Sequence, residues 1–127
     1  MTNMMQPEML SALGGEDNKG EKDWAKVLEL IAARPDAAKE KSECHGATPL
    51  RYAAYREAPF DVFKTIFDMY PDGVKQADRG GYLPLHCACC AETPDIARLL
   101  LVAYPDGAKE TDAEGRLPLH FAQTADI

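Results

Sequence analysis

The sequence predicts an all-α solenoid of helix-turn-helix repeats with short β-turn tips. Two independent markers predict it, and both return at one period. Gly81-Tyr82-Leu83-Pro84-Leu85-His86 recurs as Gly115-Arg116-Leu117-Pro118-Leu119-His120, 34 residues later, and an earlier copy, Gly46-Ala47-Thr48-Pro49-Leu50-Arg51, stands 35 residues before. Tyr70-Pro71-Asp72-Gly73 returns as Tyr104-Pro105-Asp106-Gly107 at 34, with a worn copy, Arg34-Pro35-Asp36-Ala37, 36 residues upstream. A fixed period of this size marks units that bury their apolar faces against one another.

Each element follows from local chemistry. Asp78 to Gly81 and Asp112 to Gly115 read as β-turns, with Asp favoured at the first position and Gly at the fourth. The residues before each proline are extended, because proline pushes its predecessor out of the helical region. Pro49, Pro84 and Pro118 then each open a short helix, where the missing N–H costs nothing. Pro59 and Pro94 start a second helix. Phe63, Ile66 and Phe67 recur at helical spacing in one copy, and Ile96, Leu99, Leu100 and Ala103 in the next. The Tyr-Pro-Asp-Gly marker stops that helix and reads as a loop. Upstream, Trp24, Val27, Leu28 and Ile31 share one helical face and read as the second helix of a degenerate first repeat. Pro7 to Leu13 is either its first helix or an N-terminal cap, and Gly14 to Lys22 reads as a charged, mobile loop.

These residues resemble the ankyrin repeat family. The resemblance rests on Gly46-Ala47-Thr48-Pro49-Leu50, on the two Leu-Pro-Leu-His copies, on the small residues Ala53-Ala54, Ala88-Cys89 and Ala122, and on Leu99-Leu100-Leu101. It covers residues 23–127, divided into a partial repeat 23–45, repeats 46–80 and 81–114, and a truncated repeat 115–127, after an N-terminal segment 1–22. Three departures stand out. The period exceeds the family's of about 33, and the extra residue fits the Tyr-Pro-Asp-Gly loop. Leu83 and Leu117 replace the usual threonine, which removes an N-cap worth about 1 kcal/mol. Arg51 replaces the histidine of the first full copy.

The resemblance implies a protein-binding module without cofactor or catalysis, recognising an unidentified protein through turn tips and the outward face of each first helix. Carried over position by position, that surface contains Tyr52, Tyr55, Arg56, Arg79, Tyr82, Cys87, Arg116 and Phe121, with His45, Ala47, Cys90 and Glu114 beside them. Tyr and Arg are enriched at binding hot spots. The bland alternative is that Tyr52 and Tyr55 cover a neighbouring helix. His86 and His120 are implied to be structural, bridging neighbouring turns through the ring.

The runner-up function is a metal- or redox-responsive protein using Cys87, Cys89 and Cys90. Zinc wants four ligands, which Cys44, His45, Cys87 and Cys90 would supply only if adjacent junctions brought them together, and their spacings match no usual site. Cys89 takes a position of a buried small residue, whereas Cys87 and Cys90 are expected to be more exposed. An enzyme ranks last, for want of a nucleophile, base and orienting acid at a recognisable spacing. The net charge of −7 argues against nucleic acid and anionic membranes. The longest dense apolar run, Leu99 to Tyr104, is far below the roughly 20 residues a bilayer needs. Four cysteines, three of them crowded, suit a reducing compartment, cytosol or nucleus. Leu117, Leu119, Phe121 and Ala122 are core-type residues without a second helix after them. Three readings cover this: a piece of a longer array, a frayed end, or a face for self-association or a partner.

Overall fold

The computed structural model describes residues 4–15, 21–91 and 93–121, with His120 and Phe121 described by their backbone alone. Six α-helices form: α1 (Pro7–Ala12), α2 (Trp24–Ala33), α3 (Pro49–Tyr55), α4 (Phe60–Met69), α5 (Pro84–Ala91) and α6 (Pro94–Ala103). Among the described residues there is no strand, only one isolated bridge between Met4 and Lys41. The helices work in pairs, α1 with α2, α3 with α4 and α5 with α6. Successive pairs stack through α3 on α5 and through α2 on α4 on α6. None of the helices exceeds ten residues, too short to be stable alone. Stacking therefore holds them, around a continuous core in which Leu13, Tyr52, Phe63 and Ile31 are almost wholly buried.

The helix starts are set by proline and by side-chain caps. Pro49 and Pro94 occupy the first turn of α3 and α6, where their fixed φ suits helix entry. The Thr48 hydroxyl accepts from the Arg51 N–H at 3.4 Å, and the Asp23 carboxylate accepts from Lys26 N–H at 3.1 Å. Leu83 has no such oxygen. Its own N–H donates instead to Nδ1 of His86 at 3.0 Å, so the histidine reaches back from the first turn and stands in for the lost threonine.

The Tyr-Pro-Asp-Gly marker stops each second helix, but it is not the loop its composition suggests. Pro35–Lys39, Pro71–Lys75 and Pro105–Lys109 each form a 3-10 helix, and Pro118–Phe121, at the end of the described residues, forms a shorter one. These turns lock the units side by side. Lys39 Nζ lies 5.9 Å from the Tyr70 ring, and Lys75 Nζ 5.6 Å from the Tyr104 ring.

The N-terminal segment is tied to the array. The Asp23 N–H donates to the Ala12 carbonyl at 2.7 Å, and Arg56 Nη1 donates to the carbonyls of Leu13 and Gly15 at 2.9 and 2.7 Å. Of the stretch read as a mobile loop, residues 16–20 lie outside the described residues, as does Ala122. No helix among the described residues is long and apolar enough to cross a membrane.

Candidate protein-binding surface

Three turn tips are built on one plan. A short polar side chain at the base accepts from backbone N–H groups across the turn. Asp78 Oδ1 accepts from Gly80 and Tyr82 at 2.9 and 3.0 Å, and Asp112 Oδ1 from Glu114 and Arg116 at 2.8 and 2.9 Å. Ser42 Oγ does the same for His45 and Ala47, both at 3.3 Å. The turns expected over 78–81 and 112–115 close through Gly81 N–H to Asp78 and Gly115 N–H to Asp112, each at 3.0 Å. Gly81 and Gly115 carry φ of 81° and 77°, which favours glycine.

Electrostatics hold the tips in place. Arg51 reaches from α3 to the second tip, with Nη2 2.7 Å and Nε 3.0 Å from Asp78 Oδ2. His86 reaches from α5 to the third, its Nε2 3.2 Å from the Arg116 carbonyl. With Nδ1 accepting from Leu83, Nε2 carries the proton and donates. Burial pushes this imidazole below its ordinary pKa, against the pull of the neighbouring carbonyls and of Asp112. Burial also works against the Asp112 carboxylate, but the N–H groups of Arg116 and Glu114 and the Arg116 guanidinium hold it below the usual range.

The candidate residues divide sharply. Tyr55 stands exposed at 43% at the end of α3, with the Arg51 guanidinium 5.3 Å from its ring. Arg79 is exposed, and its Nη1 donates back to the carbonyls of Glu43 and Cys44 in the preceding tip. Tyr82 and Arg116 are half-buried and bonded to each other, Nη2 to hydroxyl at 2.7 Å. Arg116 also pairs with Asp112 and Glu114. Three candidates belong to the interior instead. Tyr52 is fully buried, donates to Ser42 Oγ at 2.9 Å and lies 3.6 Å from Cys44 Sγ, so it packs under its own tip. Arg56 is 8% exposed, stacked 4.8 Å from the Tyr52 ring, and its burial lowers its pKa. Cys87 is 4% exposed beside Arg51. The side chain of Phe121 lies outside the described residues.

The cysteines part in the same way. Cys90 is exposed as expected, but Cys87 is buried like Cys89, against the expectation that it would be open. Burial pushes the Cys87 thiol up to about 12, which removes the thiolate that metal binding and redox chemistry require. Among the described residues no three His, Cys, Asp or Glu side chains gather closely enough to hold a metal ion.

The second tip, α5, α6 and the third 3-10 helix together make one unit of the array. Residues 80–109 match the ankyrin repeat family model. Comparison with curated proteins found no match. The matched residues include Tyr82, His86 and all three crowded cysteines, and repeats of this type generally bind proteins.

Proposed function

We propose that this chain is a protein-binding module whose partner lies across the turn tips and the open ends of α3 and α5. The observation that carries it is the rigidity of an exposed tip row. Arg79 and Arg116 are exposed or half-exposed, yet each is held by bonds to neighbouring tips. Side chains fixed before binding lose little entropy when a partner arrives. Tyr55 supplies the exposed aromatic anchor, and Cys90 occupies the equivalent position of α5, 35 residues on.

The test uses Tyr55→Ala combined with Cys90→Glu, since both side chains are exposed and substitution leaves the core intact. Immobilised wild type and variant are compared for the proteins they retain from a cell extract, with thermal unfolding run in parallel. At least one specifically retained protein should be lost from the variant at an unchanged melting temperature. Equal retention of every wild-type partner removes this surface from consideration.

A further inference from the structure

Most of the described cations are already spent. Lys26, Lys39, Lys64 and Arg98 stand beside carboxylates of their own helix, Arg34 beside Glu40, and Arg51 and Arg116 beside the tip aspartates. Lys75 stands over the Tyr104 ring. Lys41 and Arg79 are different. Among the described residues, neither meets a carboxylate within ion-pair distance and neither lies over a ring.

These two side chains line one open cavity of about 430 Å³ between the first and second tips. Three distant stretches of chain wall it: Met4 of the N-terminal segment, Ser42 and Gly46 of the first tip, and Asp78 at the base of the second. Both cations are held in place. The Lys41 carbonyl accepts from the Met5 N–H at 2.9 Å, in the bridge to Met4. The Arg79 stem lies over Gly46, its Cγ 3.0 Å from where a Cβ would stand, and its Nη1 donates to the carbonyls of Glu43 and Cys44. A guanidinium carries donors on three nitrogens. Nε and Nη2 of Arg79 therefore remain, and neither makes a hydrogen bond among the described residues.

The first tip's backbone N–H groups are used internally. Those of His45 and Ala47 go to Ser42 Oγ, that of Gly46 to the Ser42 carbonyl, and that of Arg79 to the His45 carbonyl. Recognition falls to the two cationic side chains. Asp78 also lines the cavity, but Arg51 and the N–H groups of Gly80 and Tyr82 occupy its oxygens. Its charge, with that of Glu43 in the first tip, leaves a field suited to one negative charge rather than to a phosphate. Met4, 40% exposed, sets an apolar lip beside the cations.

We propose that this cavity takes the side-chain carboxylate of an Asp or Glu in the partner protein, with an aliphatic neighbour of that residue resting on Met4. Arg79 offers two nitrogens in a rigid fork and Lys41 a mobile ammonium. The proposal rests on the protein-binding reading above and adds the chemistry that the first two tips recognise.

The probe is the capped peptide acetyl-Gly-Leu-Glu-Leu-Gly-amide, whose glutamate is its only charge, titrated to millimolar concentration into the isotope-labelled full chain. Saturable NMR shifts are expected at Met4, Lys41, Gly46 and the Arg79 side chain, and not at Tyr55 or Cys90. Replacing the peptide's glutamate by glutamine should weaken binding about five-fold, the upper scale of an exposed ion pair. Arg79→Gln should do the same, as should Lys41→Gln, whose lost ammonium supports no described contact. Absence of saturable shifts, or equal affinity for the two peptides, overturns the proposal. So does equal binding of the glutamine peptide with a free C-terminus, which assigns the site to a terminal carboxylate. Displacement of the peptide by inorganic phosphate at lower concentration than by acetate assigns it to phosphate and overturns it equally. Tyr55→Ala with Cys90→Glu lies outside the cavity and should leave peptide affinity unchanged. A silent cavity in a chain that still loses extract partners with that double variant refutes the carboxylate site alone. Peptide binding by a chain whose double variant keeps every partner refutes the helix-end surface alone.

Discussion

Nη2 of Arg51 lies 2.7 Å from Oδ2 of Asp78, an ion pair standing where the next unit uses the His86 ring and the Arg116 carbonyl. The two devices do one job, which is to pin a first helix to the following tip. The arginine at position 51, where the two later copies carry His86 and His120, thereby gains a reason. The guanidinium is longer and needs an anion, and Asp78 already stands at the base of the tip.

Removing either partner of this pair should be costly and unequal. The side chains are 12% and 4% exposed, so a lone survivor would be a poorly solvated charge. Arg51→Ala should lower unfolding stability by about 3 kcal/mol, the lower end for a broken buried pair. Asp78→Ala should cost more, because Oδ1 also holds the N–H groups of Gly80 and Tyr82. Urea unfolding of both single variants and the double variant measures this. An Asp78→Ala loss no larger than that of Arg51→Ala would show that the tip bonds contribute nothing.

His86 makes stability depend on pH in a defined direction. Burial, opposed by nearby carbonyls and by Asp112, lowers its folded pKa, while in the unfolded chain the ring titrates at about 6.5. Below that value the unfolded state binds the extra proton and the folded state resists it. The contribution is complete above about 6.5 and declines as pH falls. Protonation would also cost Nδ1 its bond from Leu83. Asp112 weakens the tip in acid too, so the histidine's share is the difference between wild type and His86→Gln. That difference should shrink between pH 7.5 and 5. A difference independent of pH would mean the ring titrates alike in both states.

The thiols should react in an order fixed by burial. Cys90 is exposed, whereas Cys87 is 4% exposed with its thiol pushed up to about 12. Alkylation of the native protein near pH 8 should label Cys90 first and leave Cys87 and Cys89 unmodified until denaturant is added. Peptide mapping by mass spectrometry reads the order directly, and early labelling of Cys87 would contradict the burial.

The repeat was legible because proline and glycine act through their own backbone geometry. Pro49 and Pro84 begin helices, and Gly81 and Gly115 take positive φ, whatever surrounds them. The binding surface was harder to read. Tyr52 and Tyr55 are three positions apart and share a helical face, yet one is fully buried and the other 43% exposed. Helical period gives direction around an axis and not distance along it. Near the start of α3 the tip folds back over Tyr52 through Ser42, and α3 has outrun that cover by Tyr55. Arg56 was misplaced for another reason. Leu13 and Gly15, which enclose it, come from a segment 41 or more residues away that carries neither marker. A signal was available in the residue type of Cys87, which occupies the position of Tyr52 one unit later: free cysteine is among the residues most often buried, and the structure buries both.

The two tip glycines give the sharpest test of the stacking. Gly81 and Gly115 have nearly the same φ, 81° and 77°, so alanine at either position pays about 1 kcal/mol for a left-handed conformation. Their surroundings differ completely. A Cβ on Gly81 would lie 2.7 Å from Ala113 N and 3.0 Å from Asp112 carbons, all backbone of the following tip, while one on Gly115 meets nothing within 4 Å. Backbone cannot turn aside as a side chain can, so Gly81→Ala must push the third tip away and strain the Ala113 bond to the Gly80 carbonyl. Gly115→Ala should therefore lose about 1 kcal/mol and Gly81→Ala at least 1–2 kcal/mol more, in the range of an overpacked core. Thermal and urea unfolding of the pair decide the point. Equal losses would mean that the second and third tips are not in contact, and the stacked junction would have to be redrawn.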